Sequence, residues 1–310
     1  MRFNYPEDVI ALTPEWKGER FEDGRPKVLD RYLDEIRKMT LEELWKPIFL
    51  KGYVNQFLAM DCLHPEFKEN GDLNCKLIGR AVTAAYGPAR PDYFEASNKQ
   101  AASEGRSGLA NQWVIDSLTD RDVAVIDMFD KVYKGTFVGG NLTTAIKAKT
   151  HTGGAVIWGG IRDIEQMKKI DGINVYYRGI DPTPIRDFCM LNFNGPVRMG
   201  DGEHAALCLP GDIVYGCSGG VLFIPPQLVI DVVDSGAKTQ VKDLFGFEMI
   251  TQNKFTTAQI DRNTWTTEML DLLTEFIRTD PRGEPYRSID WTREYQLARD
   301  GDPTDTQSAL

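Results

Sequence analysis

The sequence is poor in the residues that hold metals and form disulfide bonds, with five cysteines and three histidines among 310 residues. No two cysteines have the spacing of a zinc knuckle or a redox dithiol, so we expect free thiols in a reducing compartment. The histidines lie in three unrelated segments, which argues against a three-histidine metal site. The residues concerned are Cys62, Cys75, Cys189, Cys208 and Cys217, and His64, His151 and His204.

Excess positive charge and long apolar runs are also missing. The formal net charge of −10 argues against the basic surface that binds nucleic acid, and equally against an anionic membrane surface. No apolar run approaches the roughly 18 residues that a spanning helix needs. The N-terminus has no apolar segment of the signal-peptide type. We therefore expect a cytoplasmic protein that binds neither nucleic acid nor membrane.

Short β-branched segments separated by glycines predict an α/β core over residues 47–235, with strands dominating after Asp181. One amphipathic helix is predicted within it, from Leu142 to Lys149. The predicted strands are 77–83, 123–127, 155–158, 175–177, 211–215 and 221–224.

Helical patterns occupy both ends of the chain. In the N-terminal extension, 1–46, apolar residues recur at helical spacing over 28–44, and Thr40 with Glu43 forms a capping-box pattern. We expect this extension to pack on the core or on a neighbouring subunit. Towards the C-terminus, helices are predicted over 227–237, at the end of the core, and over 264–277, in the C-terminal extension, 236–310. The polar tail after Arg278 is expected to fray or to clasp a partner.

Two glycines, Gly139 and Gly140, precede the predicted core helix. Asn141 is a favourable N-cap residue, so we expect the helix to begin directly after it. The first amides of a helix lack partners within the helix and lie at the positive end of its dipole, which favours anions. The alternative is an ordinary junction between a strand and a capped helix.

A second glycine pair, Gly159 and Gly160, ends a buried strand and delivers Arg162 and Asp163. Ligands bind preferentially at the carboxyl ends of strands in α/β folds. Arginine binds a carboxylate through two parallel hydrogen bonds, and aspartate offers oxygen to Mg²⁺ or Mn²⁺. The alternative is a helix-start aspartate beside a surface arginine. A second pair, Arg186 and Asp187, ranks below the first because no glycine-ended strand precedes it.

A strand–helix–strand passage would bring the two glycine-led segments to one edge of the sheet. The functional centre is therefore predicted within residues 139–163. An anion-binding helix start, an arginine and a metal-binding carboxylate are the parts needed to bind a 2-oxo acid. Metal and arginine would share the negative charge that develops on an enolate oxygen.

The order and spacing of these motifs resemble the RraA-like family. That family includes the class II 4-hydroxy-4-methyl-2-oxoglutarate (4-carboxy-4-hydroxy-2-oxoadipate) aldolases and the regulators of ribonuclease E activity. The resemblance covers about residues 47–235. It rests on Gly79–Thr83, Val125–Asp127, Gly139–Gly140, Gly159–Asp163, Pro210–Val214 and Gly220–Pro225.

The resemblance implies an αββα sandwich of the swivelling phosphohistidine-domain type, with helical extensions at both ends. It implies trimers, often paired into hexamers, with active sites between subunits. It makes Arg162 the substrate clamp and Asp163 the ligand of a divalent metal, Mg²⁺ or Mn²⁺. The loop at Gly140 and the backbone amides of Leu142 and Thr143 would hold the substrate carboxylate.

One position departs from the aldolase pattern. Asn141 stands where the aldolases have an acidic residue, and an amide cannot relay a proton as a carboxylate can. We expect Asn141 to bind substrate and not to transfer protons. The resemblance also implies an acidic group from a neighbouring subunit, for which Asp243 is our first candidate and Glu248 the second.

Three functions follow as hypotheses. The first is a metal-dependent carbon–carbon lyase, of the aldolase or decarboxylase type, for a small hydroxylated 2-oxo acid or sugar-derived acid. The second, suggested by Asn141, is a sugar-acid dehydratase or isomerase. The third is a non-catalytic, regulatory binding protein, against which the retention of both Arg162 and Asp163 argues.

Overall fold

The computed structural model describes residues 4–63, 76–151 and 154–301. The chain divides into two compact units, Met1–Val232 and Val233–Leu310. His64, Cys75 and Gly153 lie outside the described residues, whereas Cys189, Cys208 and Cys217 are free thiols. The three segments expected from the sequence, with boundaries at 46/47 and 235/236, stay predictions.

Strands and helices alternate through the middle of the chain. The helices are α1 (Pro6–Leu12), α2 (Asp30–Lys38), α3 (Leu41–Leu50), α4 (Pro91–Ser103), α5 (Ala110–Ser117), α6 (Gly140–Thr150), α7 (Ile164–Met167), α8 (Val229–Thr251), α9 (Thr257–Ile260), α10 (Thr267–Thr279) and α11 (Thr292–Asp300). The strands are β1 (Phe57–Leu58), β2 (Asp61–Leu63), β3 (Leu77–Pro88), β4 (Asp122–Val138), β5 (Gly154–Ile161), β6 (Asn174–Tyr177), β7 (Gly179–Ile180), β8 (Phe188–Phe193), β9 (Val197–Met199), β10 (Ala206–Cys208), β11 (Ile213–Cys217) and β12 (Gly220–Ile224). Among the described helices, none is long and apolar enough to cross a membrane.

Ten of the described strands form one mixed sheet in the first unit. Its main order is β1-β12-β11-β3-β4-β5-β6-β2, with β7 added beside β5 and β8 beside β3. Strands β3 to β6 run parallel, and antiparallel strands complete both sides. The carboxyl ends of β3, β4 and β5 therefore meet at one edge, the edge where α/β proteins bind ligands.

Successive side chains of the central strands enter two different apolar layers, as the pleat of a strand requires. Ile126 and Ile157 pack with the helices α5 and α6 on one face. Val125 and Val156 pack on the other face, against the small antiparallel sheet of β9 and β10. The mixed α/β class predicted from the sequence is confirmed. The swivelling phosphohistidine type stays a prediction.

The N-terminal segment packs on the core of its own chain. Arg25 is 1% exposed and donates to both carboxylate oxygens of the fully buried Asp122, at 2.8 and 3.1 Å. Arg80 of β3 donates to the carbonyl of Val28 and to the carboxylate of Asp30 at the start of α2. These bonds join the extension to the central strands.

The capping box at the start of α3 is confirmed. The Thr40 hydroxyl accepts from the Glu43 amide at 3.4 Å, and the Glu43 carboxylate accepts from the Thr40 amide at 2.9 Å. The N-terminal helical pattern therefore divides into two helices, α2 and α3.

The second unit has an aromatic core of its own. The ring of Phe245 lies 5.8 Å from those of Trp265 and Phe276, and Trp291 is also buried. The expectation that the chain frays after Arg278 is wrong for residues up to Gly301. Burial of Trp291 holds that segment in place, and helix α11 follows it.

Candidate functional site

Arg162 and Asp163 lie directly after β5, at the carboxyl edge of the parallel strands. The Arg162 amide donates to the carbonyl of Val138 at 3.1 Å, which ties the end of β5 to the end of β4. Asp163 has a φ of 59° and begins helix α7. Aspartate is among the residues that tolerate this left-handed conformation, which turns the chain sharply at the sheet edge.

Asp163 also accepts a hydrogen bond from the first residue of helix α6. Its Oδ2 accepts from the Gly140 amide at 3.1 Å. A Cβ at Gly139 would lie 2.3 Å from that oxygen, and one at Gly140 would lie 2.3 Å from Oε1 of Gln166. An added methyl group at Gly139 would displace the Asp163 side chain, and one at Gly140 would displace Gln166. The two segments that the sequence predicts to meet at this edge are therefore in direct contact.

Helix α6 begins two residues earlier than expected. Gly139 is its N-cap, so Asn141 lies exposed in the first turn and does not cap the helix. The Thr143 amide donates to the carbonyl of Gly139 at 3.0 Å, so the expectation that it holds a substrate is not met. The amides of Asn141 and Leu142 have no acceptor among the described residues, and they remain available to an anion.

The side chains of Arg162 and Asp163 are partly accessible, at 37% and 33% exposure. Nη1 of Arg162 lies 3.8 Å from Oδ2 of Asp163, which is an ion pair without a short hydrogen bond. Within the described residues the guanidinium has no other partner. It therefore keeps the donors that a carboxylate would bind in parallel.

The family model RraA-like (Aldolase/RraA) matches residues 46–223, more than half of the chain. The chain belongs to the RraA-like family. Members of this family include aldolases and decarboxylases as well as regulators of ribonuclease E. Among proteins of curated function, none matches the chain in sequence.

Solved structures share the fold of this RraA-like chain at low identity. An uncharacterized protein from Pseudomonas syringae pv. tomato is 18% identical with a TM-score of 0.57, over 78% of this chain and 97% of its own. Streptomyces coelicolor RraAS2, an unusual member of the RNase ES inhibitor RraA family, is 20% identical with a TM-score of 0.56, over 73% and 98% of the two chains. A structure from a set of novel cellulases from gut-associated microbes is 19% identical with a TM-score of 0.56, over 76% and 94%. At such identities the likeness concerns the fold alone.

The Asp163 carboxylate is suited to a metal ion that retains most of its coordinated water. The described residues contain no cluster of three or more side chains of the metal-binding types. Oδ1 of Asp163 has no hydrogen-bond partner there, while Oδ2 is held by Gly140. Mg²⁺ is commonly bound through one or two carboxylates, with water and substrate completing its shell. One free carboxylate oxygen beside the amides of Asn141 and Leu142 fits that pattern.

Asp243, the predicted contribution of a neighbouring subunit, lies on helix α8 in the second unit. Its catalytic role stays a prediction. The same holds for the trimeric or hexameric assembly.

Sequence reasoning did not single out Gln166 or Asp127. Gln166 packs over Gly140 from α7, and its position three residues after Asp163, on the same helical turn, was the available signal. Asp127 lies in β4, where burial raises the pKa of its carboxyl group. Asp127 ends a β-branched segment of the sequence, but it lacks the glycine pair that marks Asp163, and β4 continues beyond it to Val138.

Proposed function

We propose that this RraA-like protein is a divalent-metal-dependent carbon–carbon lyase, of the aldolase or decarboxylase type. Its substrate would be a small hydroxylated 2-oxo acid or sugar-derived acid. The observation that carries the proposal is the contact between Asp163 and the start of α6, beside the Arg162 guanidinium, which makes no short hydrogen bond with the described residues. It places a carboxylate, an arginine and two free amides at one sheet edge.

Each group has a chemical task in such a reaction. The amides of Asn141 and Leu142 would bind the substrate carboxylate, and the positive end of the α6 dipole would favour its charge. Arg162 would donate to the 2-oxo group, whose oxygen gains negative charge as the carbon–carbon bond breaks and the enolate forms. A divalent metal held by Asp163 would supply Lewis-acid stabilisation of the same charge.

The retro-aldol step also needs a group that takes the proton from the substrate hydroxyl. The bonding pair between the two carbons then moves onto the 2-oxo acid fragment as an enolate, and the hydroxyl carbon becomes a carbonyl. The enolate carbon takes up a proton to give the free 2-oxo acid. Asn141 cannot accept that proton, because an amide has no basic lone pair at neutral pH. We assign the proton transfer to water or to Asp243 of a neighbouring subunit. Decarboxylation needs no such base, since the departing group is carbon dioxide.

The test is pyruvate release from 2-oxo acid aldols and from oxaloacetate by the full chain, with Mg²⁺ or Mn²⁺ and with a metal-only blank. We expect activity that requires the metal and falls at least a hundredfold in Asp163→Asn and in Arg162→Gln. Asparagine tolerates a positive φ and still accepts from Gly140, so the first variant should fold.

Asp130→Asn is the matched control. Asp130 also has a positive φ, 56°, and forms an ion pair with an arginine, Arg178, at 2.8 Å. It should retain full activity. If the wild-type protein releases no pyruvate from any of these substrates, the lyase proposal is wrong. Absence of metal binding by calorimetry would then favour the regulatory function.

The second candidate, a sugar-acid dehydratase or isomerase, is favoured by one observation. Asn141 is exposed in the first turn of α6, where an amide can bind a hydroxyl group of a longer substrate. A screen of sugar acids with product analysis by NMR separates the two reactions. Loss of water without cleavage of the carbon chain would support the dehydratase, and cleavage would support the lyase.

A further inference from the structure

A cavity lies at the same edge of the sheet, where β3 ends. It has a volume of about 360 Å³ and lies between helices α4 and α5 and strand β8. None of the residues from Gly139 to Asp163 lines it. Its size is at the lower end of the range for small-molecule sites.

Two residues that line this cavity each have a buried polar atom without a partner among the described residues. Asn111 is 4% exposed, and its Nδ2 donates to the carbonyl of Phe137 at 2.9 Å, but its Oδ1 accepts from none of the described residues. Trp113 is 6% exposed, and its Nε1 finds no acceptor in the same part of the chain. Leaving a buried polar group unpaired costs about 1–3 kcal/mol. A ligand that reached both side chains would supply the two missing complements.

The charges around the cavity favour an anion. Arg106 is paired with Glu104 at 3.0 Å, and Asp187 is paired with Lys134 at 3.2 Å. Arg186 also lines the cavity, is exposed, and forms no side-chain hydrogen bond or ion pair with the described residues. One positive charge therefore remains uncompensated. The pair Arg186–Asp187 thus belongs to this cavity and not to the lyase site.

The remaining lining is mainly aromatic and aliphatic. Tyr86, Phe94 and Phe188 contribute rings, and the Tyr86 hydroxyl is already satisfied by the carbonyl of Ala110 at 3.0 Å. Aromatic side chains of this kind pack against a flat apolar ring of a ligand. The polar substituents of that ligand would then bind the few unpaired polar groups of the lining.

We propose that this cavity is a second binding site, separate from the Arg162–Asp163 site, for a small hydroxylated aromatic carboxylate. The carboxylate would bind Arg186 and the indole N–H of Trp113. The hydroxyl would donate to Oδ1 of Asn111, and the ring would lie against the aromatic walls.

The experiment is titration of the full chain with 4-hydroxybenzoate, followed by calorimetry. We expect saturable binding at one site per chain. Trp113→Phe keeps the ring but removes the N–H, and Arg186→Gln removes the exposed charge; each should weaken binding about five- to tenfold or more. Asn111 is left intact because its Nδ2 supports Phe137. Arg262→Gln, which removes an exposed arginine outside the cavity, should bind as the wild type does.

Two analogues test the assignment of groups. 4-Methylbenzoate lacks the hydroxyl and 4-hydroxybenzyl alcohol lacks the carboxylate, so both should bind more weakly than 4-hydroxybenzoate. Arg162→Gln distinguishes the two sites, since it should abolish lyase activity and leave this binding unchanged. No saturable binding, or binding that Arg162→Gln abolishes and that Trp113→Phe and Arg186→Gln leave intact, would overturn the proposal.

Discussion

Gly139 is the residue whose missing side chain allows Asp163 to reach helix α6. An added Cβ would lie 2.3 Å from Oδ2 of Asp163 and 3.1 Å from Cγ of Arg162, so both side chains would have to move. We expect Gly139→Ala to lower lyase activity at least tenfold, because displacements of about 1 Å at a reacting centre are costly. The free energy of unfolding should fall by about 1–3 kcal/mol. Steady-state kinetics and urea unfolding measure the two effects.

Gly219→Ala provides the comparison for that variant. A Cβ there would meet Leu41 at 3.4 Å, which is ordinary contact, and its φ lies outside the left-handed region. It should retain both activity and stability. Equal losses in the two variants would show that any added methyl group is harmful and that Gly139 has no special relation to the site.

Asp212 is buried, and its ionisation should make the free energy of unfolding depend on pH. Burial raises its pKa from 3.8 to about 7, although it accepts from the Leu209 amide at 2.8 Å. The folded state therefore binds the proton more tightly than the unfolded state. Between about pH 4 and 7 the free energy of unfolding should fall as pH rises, by up to about 1.4 kcal/mol per unit.

Asp212→Asn keeps the acceptor for Leu209 and cannot ionise. Urea unfolding of the variant at pH 5 and pH 8 should therefore show a smaller decrease than the wild type. Asp261→Asn, at an exposed position, should behave as the wild type does. If all three proteins lose the same stability between these pH values, Asp212 is not the group responsible.

At the scale of elements, the predicted strands correspond to β3, β4, β5, β6, β11 and β12, because buried strands are β-branched and bounded by glycines. The start of α6 was misplaced for a physical reason. Local preference favours Asn141 as a cap. In the structure, however, the amide of Gly140, the first residue of the helix, donates to Asp163, which is 23 residues further along the chain. A contact of that range has no signature in the local sequence.

The cavity beside α5 could not be predicted from the sequence either. Asn111 and Trp113 lie in a helix of eight residues, where nothing in the local sequence marks them as unpaired. Their unsatisfied atoms arise from the packing of that helix against β4 and β8. The site at Arg162 and Asp163 was predictable because its residues follow a glycine-ended strand directly.

The buried ion pair between Arg25 and Asp122 anchors the N-terminal segment to the start of β4. Arg25→Met would leave the Asp122 carboxylate buried and uncompensated, so we expect a loss of about 3–5 kcal/mol in the free energy of unfolding. Adding Asp122→Asn should recover part of that loss, since the remaining group is neutral and still accepts from the Thr119 amide. Urea unfolding of the four proteins in this cycle measures the coupling.

Arg278→Met is the exposed counterpart, because its ion pair with Glu275 lies on the surface. It should change stability little, as exposed pairs do. If Arg25→Met is as mild as Arg278→Met, the N-terminal segment does not depend on this pair. Recovery in the double variant would show that the lost stability came from the unpaired charge.

At the scale of the whole molecule, the proposed lyase depends on an assembly with sites between subunits. Light scattering should then give three or six times the chain mass of 35.0 kDa. A monomer at working concentrations would remove the proposed contribution of Asp243 from a neighbouring subunit. The lyase proposal would then depend on water for the proton transfer.

Mixed assemblies test the origin of that carboxylate directly. Asp163→Asn and Asp243→Asn should each be inactive in aldol cleavage, for loss of the metal ligand and of the base. If each site combines Asp163 of one chain with Asp243 of the next, equal mixtures refolded together should contain about one quarter of intact sites, by random pairing. Activity should return to about that fraction of the wild-type value. If both carboxylates of a site came from one chain, no mixture would recover activity, and a fully active Asp243→Asn protein would assign the proton transfer to water.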